Sequence, residues 1–196
     1  MAGVAPEKTV FATNSSTLLP SQFADVTGRP HKFVALHFAN EIWTHNTAEI
    51  MGHPKTDTAV FNDVVAFAKA IGMLTLPLNK EQPGYILNSL LVPLLGAALN
   101  LVVNDVADPE IIDKTWMKAT GAPAGPCAIL DIVGITTAYN INKMAAEKTQ
   151  DPEKLKVVKY LEENFIDKNK LGVSTGEGFY QYPNPKYKSL DFLKVN

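Results

Sequence analysis

The sequence is poor in the residues and motifs that define several common classes of protein. Its 196 residues include one cysteine, Cys127, which excludes an internal disulfide framework and a cysteine-rich zinc site. Eighteen Lys and Arg against 20 Asp and Glu give a formal charge of −2, so no basic excess indicates nucleic-acid binding. The first residues lack the basic start and long apolar run of a signal peptide. We therefore expect a protein of the reducing cytoplasm that binds no nucleic acid.

Two further signals are missing, a dinucleotide fingerprint and a histidine cluster with metal-ligand spacing. The sequence contains no G-x-G-x-x-G, and its one G-x-G, Gly176–Gly178, follows no strand–helix unit. The four histidines are separated by 6, 8 and 8 residues, which fits neither a helical nor a strand pair of ligands. No metal is expected, and three of the histidines are predicted at the surface, namely His31, His45 and His53.

The first 80 or so residues predict an α/β pattern. A helix is predicted over Thr56–Ile71, where apolar residues recur at helical spacing, and Gly72 can end it. Alternation of strands with a helix is typical of α/β folds. We expect an incomplete sheet, because a sheet usually has about 4 to 6 strands and one of the four candidates here, Thr47–Met51, is weaker than the others. The predicted strands are Thr9–Thr13, Lys32–Phe38, Thr47–Met51 and Thr75–Leu78.

From Pro83-Gly84 onward the pattern is helical, which predicts two domains, residues 1–82 and 83–196. The first helical stretch is apolar nearly all round but carries several polar, proline or glycine residues. It therefore predicts a buried helix of a soluble, oligomeric protein rather than a membrane span. A homodimer through the helical domain is expected. The predicted helices are Tyr85–Val106, Pro109–Thr120, Pro126–Lys148 and Pro152–Ile166.

The strongest candidate for chemistry is His37, which lies at the end of an apolar strand. Ligands of α/β proteins bind at strand ends, although a core histidine satisfied by the backbone would give the same pattern. Glu49, 12 residues later, could pair with His37 and fix its tautomer, or could be a solvated charge.

Two other polar groups have equally open interpretations. The run 14–17 (NSST) follows a strand and could donate to a bound oxygen or cap a turn. Asn88 follows Pro-Gly at the start of the apolar helix, where it could satisfy backbone or face a cleft.

Six ordered stretches, spread over nearly the whole chain, resemble the second part of the 3-hydroxyacyl-CoA dehydrogenases. The likeness is to the bacterial 3-hydroxybutyryl-CoA dehydrogenase branch. The stretches are Phe11–Leu18 (FATNSSTL), Phe33–Asn40 (FVALHFAN), Pro83–Asn88 (PGYILN), Ala107–Lys114 (ADPEIIDK), Gly125–Thr137 (GPCAILDIVGITT) and Thr175–Tyr182 (TGEGFYQY).

The resemblance implies a set of site residues and a reaction. Ser16, His37 and Asn88 match the catalytic serine, histidine and asparagine of the family, and Glu49 matches the glutamate that supports the histidine. Asn40 matches an asparagine beside the nicotinamide, where Ser16 would also lie. The implied reaction is the NAD-dependent oxidation of a short (S)-3-hydroxyacyl-CoA to the 3-oxoacyl-CoA, or its reverse, in a dimer formed through the helical domain.

The resemblance also implies a fold. It would be the end of a Rossmann-type NAD-binding domain followed by an all-α dimerisation domain. The glycine-rich half that holds the adenosine part of NAD is not expected in this chain. Glu41 and Ser89 stand where the family usually has proline and arginine. A non-catalytic helical dimerisation fragment and a sugar-acid dehydrogenase stay open as competing hypotheses.

Overall fold

The computed structural model describes residues 2–194, which divide into two compact units, Met1–Leu91 and Val92–Asn196. The division falls inside a long helix, Tyr85–Val103. The domain boundary predicted at residue 83 stays a prediction.

The first unit is built on one mixed sheet of four strands in chain order. The first two strands are parallel, the second and third are antiparallel, and the third and fourth are parallel. This confirms the α/β prediction, but the four strands form one continuous sheet where an incomplete one was expected. The strands are β1 (Phe11–Thr13), β2 (Phe33–Phe38), β3 (Thr47–Met51) and β4 (Leu74–Pro77).

One helix, α1 (Thr58–Ala70), crosses between the parallel strands β3 and β4. Its buried residues Val60, Val64 and Ala68 recur every four positions, so they line one face of the helix. That face packs on buried aliphatic residues of β2 and β3 to form the core on one side of the sheet. The opposite side of the sheet is therefore left for the candidate site residues.

The remaining helices begin after Pro83-Gly84. The stretch predicted as one helix over Pro126–Lys148 is two, because Gly134 has a φ of +96° that interrupts the helical hydrogen bonds. A π-helical turn, Glu162–Ile166, follows the last helix. The helices are α2 (Tyr85–Val103), α3 (Pro109–Thr120), α4 (Pro126–Val133), α5 (Ile135–Thr149) and α6 (Pro152–Leu161).

Helix α2 is only partly buried in a single copy of the chain. By length and composition it is the one helix in residues 2–194 that could cross a membrane, and 22% of its most apolar window is buried. Leu90, with 70% of its surface exposed, and Ile86 and Leu101 face outward. The expected burial of this helix in an oligomer stays a prediction, because the structure describes a single copy of the chain.

Two buried aspartates organise the second unit. Asp113 of α3 accepts hydrogen bonds from the backbone N–H groups of Cys127 and Ala128 at 2.8 and 2.9 Å, which holds the first turn of α4. Asp131 of α4 accepts N–H groups from the glycine-rich turn near residue 180. Burial raises the pKa of both carboxyls, that of Asp131 to about 6, so at neutral pH Asp131 is ionised.

Candidate active site

The pairing of β2 with β3 brings two predicted site residues together. The antiparallel register sets His37 directly opposite Glu49, so the two side chains share one face of the sheet. Both are buried, and the His37 Nδ1 atom lies 3.1 Å from Glu49 Oε2. Two residues that are 12 positions apart in the sequence are thus in direct contact across neighbouring strands.

The second carboxylate oxygen of Glu49 is held by the start of α2. Glu49 Oε1 accepts the backbone N–H groups of Ile86 and Leu87 at 2.9 and 3.0 Å. These first-turn N–H groups have no partner inside the helix and carry its positive dipole end, which stabilises a negative charge. An ionised Glu49 can only accept from His37, so the imidazole proton resides on Nδ1 and leaves Nε2 with a free lone pair.

The loop after β1 supplies the group that faces this lone pair. The Ser16 Oγ atom lies 3.2 Å from His37 Nε2, within hydrogen-bond reach. The loop is fastened to the end of β2, because Asn14 Oδ1 accepts the backbone N–H of Phe38 at 3.0 Å. The run 14–17 therefore includes both a tether, Asn14, and a hydroxyl aimed at the histidine, Ser16.

The other two predicted site residues, Asn88 and Asn40, differ in their contacts with Ser16 and His37. Asn88, in the first turn of α2, donates from Nδ2 to the Ser16 carbonyl oxygen at 3.3 Å. Asn40 lies in a bend two residues beyond β2 and is exposed. Hydrogen bonds thus link Ser16, His37, Glu49 and Asn88 into one group, whereas Asn40 lies at the nearby strand end.

Tyr85 also belongs to the site, and no sequence argument singled it out. Its fully buried ring stacks on the His37 imidazole with centroids 4.5 Å apart and planes 19° apart. Its hydroxyl donates to the Ser15 carbonyl oxygen at 2.8 Å. Burial and the nearby Glu49 charge raise the pKa of Tyr85 to about 12, so the hydroxyl keeps its proton at neutral pH. The sequence signal that could have indicated Tyr85 is an aromatic residue directly after Pro-Gly, at the start of a helix.

The loop 39–46 between β2 and β3 departs from the pattern of the family that the sequence resembles. Glu41, which stands where proline is usual, has a φ of +56°. Proline fixes φ near −65°, so it cannot occupy this conformation. The loop beside His37 is therefore built differently from one that carries proline here.

His53 corrects the prediction of a surface residue. It is only 8% exposed, because its Nε2 donates to the Pro30 carbonyl oxygen at 3.0 Å and its Nδ1 accepts the Lys55 N–H at 3.3 Å. His31 and His45 are exposed, as predicted. His53 lines a cavity of about 530 Å³ that includes none of the residues around His37.

The arrangement has the parts of a proton-transfer site. An imidazole whose far nitrogen is held by a buried carboxylate acts as a general base, and its conjugate acid is stabilised by the same charge. The Ser16 hydroxyl faces the accepting nitrogen of the ring, and the Asn88 amide is a second hydrogen-bond donor, bound to the Ser16 backbone. Such a set suits removal of a proton from an alcohol and stabilisation of the oxygen left behind.

Two sequence models of one family match the chain. The 3-hydroxyacyl-CoA dehydrogenase NAD binding domain matches residues 1–82, and the C-terminal domain of the same family matches residues 84–182. This corrects one expectation, because the first 82 residues themselves match the NAD-binding domain, so the chain does not lack that domain altogether.

Individual relatives agree with the family models. The chain is 36% identical over 182 residues to human mitochondrial hydroxyacyl-coenzyme A dehydrogenase, covering 91% of this chain and 56% of the relative. It is 30% identical over 179 residues to a probable 3-hydroxybutyryl-CoA dehydrogenase of Bacillus subtilis, covering 91% and 61%. The chain thus spans little more than half the length of these curated relatives.

Solved structures give the same result for the fold. A diketoreductase described in the dual catalysis of dicarbonyl compounds is 59% identical, with a TM-score of 0.84 over 92% of this chain and 62% of that one. The (S)-3-hydroxybutyryl-CoA dehydrogenase PaaH1 of Ralstonia eutropha is 26% identical, with a TM-score of 0.79 over 93% and 63%. Together with the two family models, these matches show that the chain belongs to the 3-hydroxyacyl-CoA dehydrogenase family.

Proposed function

We propose that this chain carries the acid–base centre of an NAD-dependent dehydrogenase that interconverts 3-hydroxyacyl-CoA and 3-oxoacyl-CoA. The observation that carries the proposal is His37, held between the Glu49 carboxylate at 3.1 Å and the Ser16 hydroxyl at 3.2 Å. Family membership supports the choice of reaction. The first unit is then the end of a Rossmann-type domain, and the second is a helical dimerisation domain.

In the oxidative direction His37 Nε2 takes the proton of the 3-hydroxyl group. The buried Glu49 charge stabilises the imidazolium that forms. Ser16 and Asn88 donate hydrogen bonds to the substrate oxygen as it becomes a carbonyl. The chemistry that NAD would supply, if bound beside Ser16 and Asn40, is acceptance of the hydride from carbon 3. In the reverse direction the His37 imidazolium returns its proton to the ketone oxygen.

The residues present fit one end of NAD better than the other. Because β1 and β2 are parallel, the residues that follow them, Ser16 and Asn40, leave the sheet at the same edge. Both are exposed polar side chains suited to a nicotinamide amide and ribose. The pyrophosphate end needs a glycine-rich turn at a helix N-terminus, and the sequence contains no such fingerprint.

This uneven fit predicts weak cofactor binding by the 196-residue chain. We expect no NADH binding in the low micromolar range in a calorimetric titration, because the phosphate contacts that anchor the cofactor are not supplied. The matched comparison is the same chain joined to the first part of a NAD-binding domain from a relative. A dissociation constant of a few micromolar for the chain by itself would contradict the prediction.

Two substrate classes share this chemistry. The acyl-CoA relatives favour a short 3-hydroxyacyl-CoA such as 3-hydroxybutyryl-CoA. The 59% identity to a diketoreductase favours a second candidate, a dicarbonyl compound without CoA. Both present a ketone and a second carbonyl group, so the same base and donors serve either. The difference lies in whether the CoA group adds binding energy.

An NADH absorbance assay tests the activity and separates the two substrate classes. The chain is assayed with and without the remaining part of a NAD-binding domain, using 3-oxobutyryl-CoA and a 3-oxobutyrate ester. The proposal predicts turnover of the CoA thioester by the joined protein. Turnover of the ester at equal kcat/KM would favour the second candidate, and turnover of neither would contradict the proposed reaction.

A dimerisation fragment without activity and a sugar-acid dehydrogenase both have less support. The buried His37–Glu49 pair would cost stability without benefit in a non-catalytic fragment, which argues for a working site. A sugar-acid dehydrogenase is disfavoured by the family models for both domains. A reducing compartment such as the cytoplasm suits the free, buried Cys127.

The exposed apolar face of α2 supports the proposal of a homodimer. Ile86, Leu90 and Leu101 are exposed by 40% or more, and a surface helix needs only one apolar stripe. Sedimentation at micromolar concentration is expected to give about twice the chain mass of 21.3 kDa. Leu90→Lys should shift the mass toward the monomer, whereas Leu190→Lys, at an exposed position outside α2, should not. A parent chain that sediments at 21.3 kDa would contradict the dimer.

A further inference from the structure

Tyr85 packs against the candidate site, although no feature of the sequence placed it there. Its ring lies parallel to the His37 imidazole, and its side chain is completely buried between the sheet and the start of α2. Its backbone has a φ of +56°, a left-handed conformation that costs a non-glycine residue about 1–2 kcal/mol. Such strain persists only where the surrounding contacts outweigh it.

Tyr85 contacts one candidate residue, His37, directly and adjoins the groups that hold two others, Glu49 and Ser16. The ring of Tyr85 packs on His37, and the two N–H groups that follow Tyr85 along the backbone bind Glu49. Its hydroxyl donates to the carbonyl oxygen of Ser15, the residue next to Ser16. Ser16 itself is exposed, and the bond from Tyr85 to Ser15 adds a buried anchor to two other hydrogen bonds of the loop, which involve Asn14 and Asn88.

We propose that Tyr85 is a positioning residue that sets the distance between Ser16 and His37. Its hydroxyl anchors the Ser16 loop through the Ser15 carbonyl, and its ring fixes the plane of the imidazole. Tyr85 does not touch the reacting atoms. The proposal concerns the same site as the proposed function and rests on it for its consequences in catalysis, but the positioning itself is measurable without turnover.

The chemistry of the side chain suits this role. A phenol whose pKa is raised keeps its proton and remains a donor throughout the neutral range. Phenylalanine would preserve the stack on His37 and lose only the anchor to Ser15. Leucine would lose both, because it has neither a hydroxyl nor a flat face. The two functions of Tyr85 are therefore separable by two substitutions.

The test is NMR spectroscopy of the isotopically labelled 196-residue chain and its variants Tyr85→Phe and Tyr85→Leu. Backbone order parameters at Ser15 and Ser16 report the anchor, and nuclear Overhauser contacts between Ser16 β-protons and the His37 ring report the distance. The chemical shifts of the His37 ring protons report the stack. Tyr139→Phe, which removes an exposed hydroxyl bound to Glu162, is the matched control.

Each variant has a distinct expected result. Tyr85→Phe should lower the order parameters at Ser15 and Ser16 from about 0.85 toward about 0.6 and weaken the Ser16–His37 contact, with unchanged His37 ring shifts. Tyr85→Leu should also move the His37 ring protons downfield. Parent-like order parameters and contacts in Tyr85→Phe would overturn the anchor, and parent-like ring shifts in a folded Tyr85→Leu would overturn the stack.

A kinetic measurement on the chain joined to the remaining part of a NAD-binding domain gives the catalytic consequence. Misplacing Ser16 should reduce kcat of Tyr85→Phe by about tenfold with KM within about twofold, because a loosely held donor acts on the transition state rather than on binding. Activity losses without NMR changes would contradict positioning. NMR changes in a protein that turns over neither substrate would contradict only the proposed function.

Discussion

Replacing His37 with alanine is expected to lower kcat of the completed dehydrogenase by about 10²–10⁴-fold, the usual contribution of a general base. The imidazole is the one side chain that the structure aligns with a carboxylate on one nitrogen and a hydroxyl on the other, within residues 2–194. KM should change much less, because the lost group acts on the developing charge. Steady-state kinetics in both directions provide the measurement.

The neighbouring glutamate sharpens this prediction. In Glu49→Gln, the amide oxygen would accept from the N–H groups of Ile86 and Leu87, so the amide NH₂ would point at His37 Nδ1. Facing a donor, Nδ1 must give up its proton, and the neutral imidazole becomes protonated on Nε2. That tautomer cannot accept a substrate proton, so the loss should approach that of His37→Ala.

A double variant tests whether the two residues act as one unit. If they do, His37→Ala with Glu49→Gln should be scarcely slower than His37→Ala by itself. The control is His31→Ala, an exposed histidine of the same unit, which should keep kcat within about twofold. Additive losses would mean that the two residues act independently, and near-normal turnover of His37→Ala would mean that His37 is a satisfied core residue.

The pairing of His37 with Glu49 could be anticipated because it follows from local pattern. The β3 bounds, Thr47–Met51, are those predicted from the sequence, and β2 differs by one residue. Two short strands joined by a loop pair in a limited number of registers. Both strands are buried almost throughout, so burial alone does not select the register; the observed register sets the two side chains opposite each other.

Other features depended on contacts between distant segments and could not be predicted. The Tyr85 hydroxyl bonds to Ser15, 70 residues earlier, and a Pro-Gly turn gives no indication of that partner. His53 is buried because Pro30, on another segment, accepts its ring N–H. The polar, turn-like sequence around His53 predicted a surface position. The sequence could not distinguish this from burial, because a backbone carbonyl of another segment satisfies the imidazole N–H as well as solvent does.

In the second unit, glycines from two separate sequence motifs, Gly125 and Gly178, each lie against a buried carboxylate. A Cβ on Gly125 would lie 2.3 Å from the Asp113 carboxyl, and one on Gly178 would lie 2.0 Å from Asp131 Oδ1. Each glycine lets backbone approach a buried carboxylate. Tyr180 joins the two sites, because its hydroxyl donates to Asp113 at 2.8 Å and its N–H to Asp131 at 2.9 Å. Spacing along the chain could not have revealed this connection.

Asp131 is therefore expected to be critical for the stability of the second unit. Its Oδ1 accepts the Phe179 N–H at 2.8 Å, and its Oδ2 accepts the Tyr180 N–H and the Tyr182 hydroxyl at 2.9 and 3.1 Å. In Asp131→Asn one of these oxygens becomes an NH₂ group, which cannot accept. At least one buried donor then loses its partner, at a cost of about 1–3 kcal/mol for each donor left unsatisfied.

We expect Asp131→Asn to lower the free energy of unfolding by about 2–4 kcal/mol, measured by urea denaturation. The change keeps the size of the side chain, so the loss reports hydrogen bonding rather than a cavity. Asp167→Asn, which removes an exposed carboxylate of the same unit, is the matched control and should change stability by less than about 0.5 kcal/mol. Tyr182→Phe should cost about 1 kcal/mol, since it removes one of the three donors. An Asp131→Asn variant as stable as the parent would mean that the turn around residue 180 is held by its aromatic packing and not by the buried carboxylate.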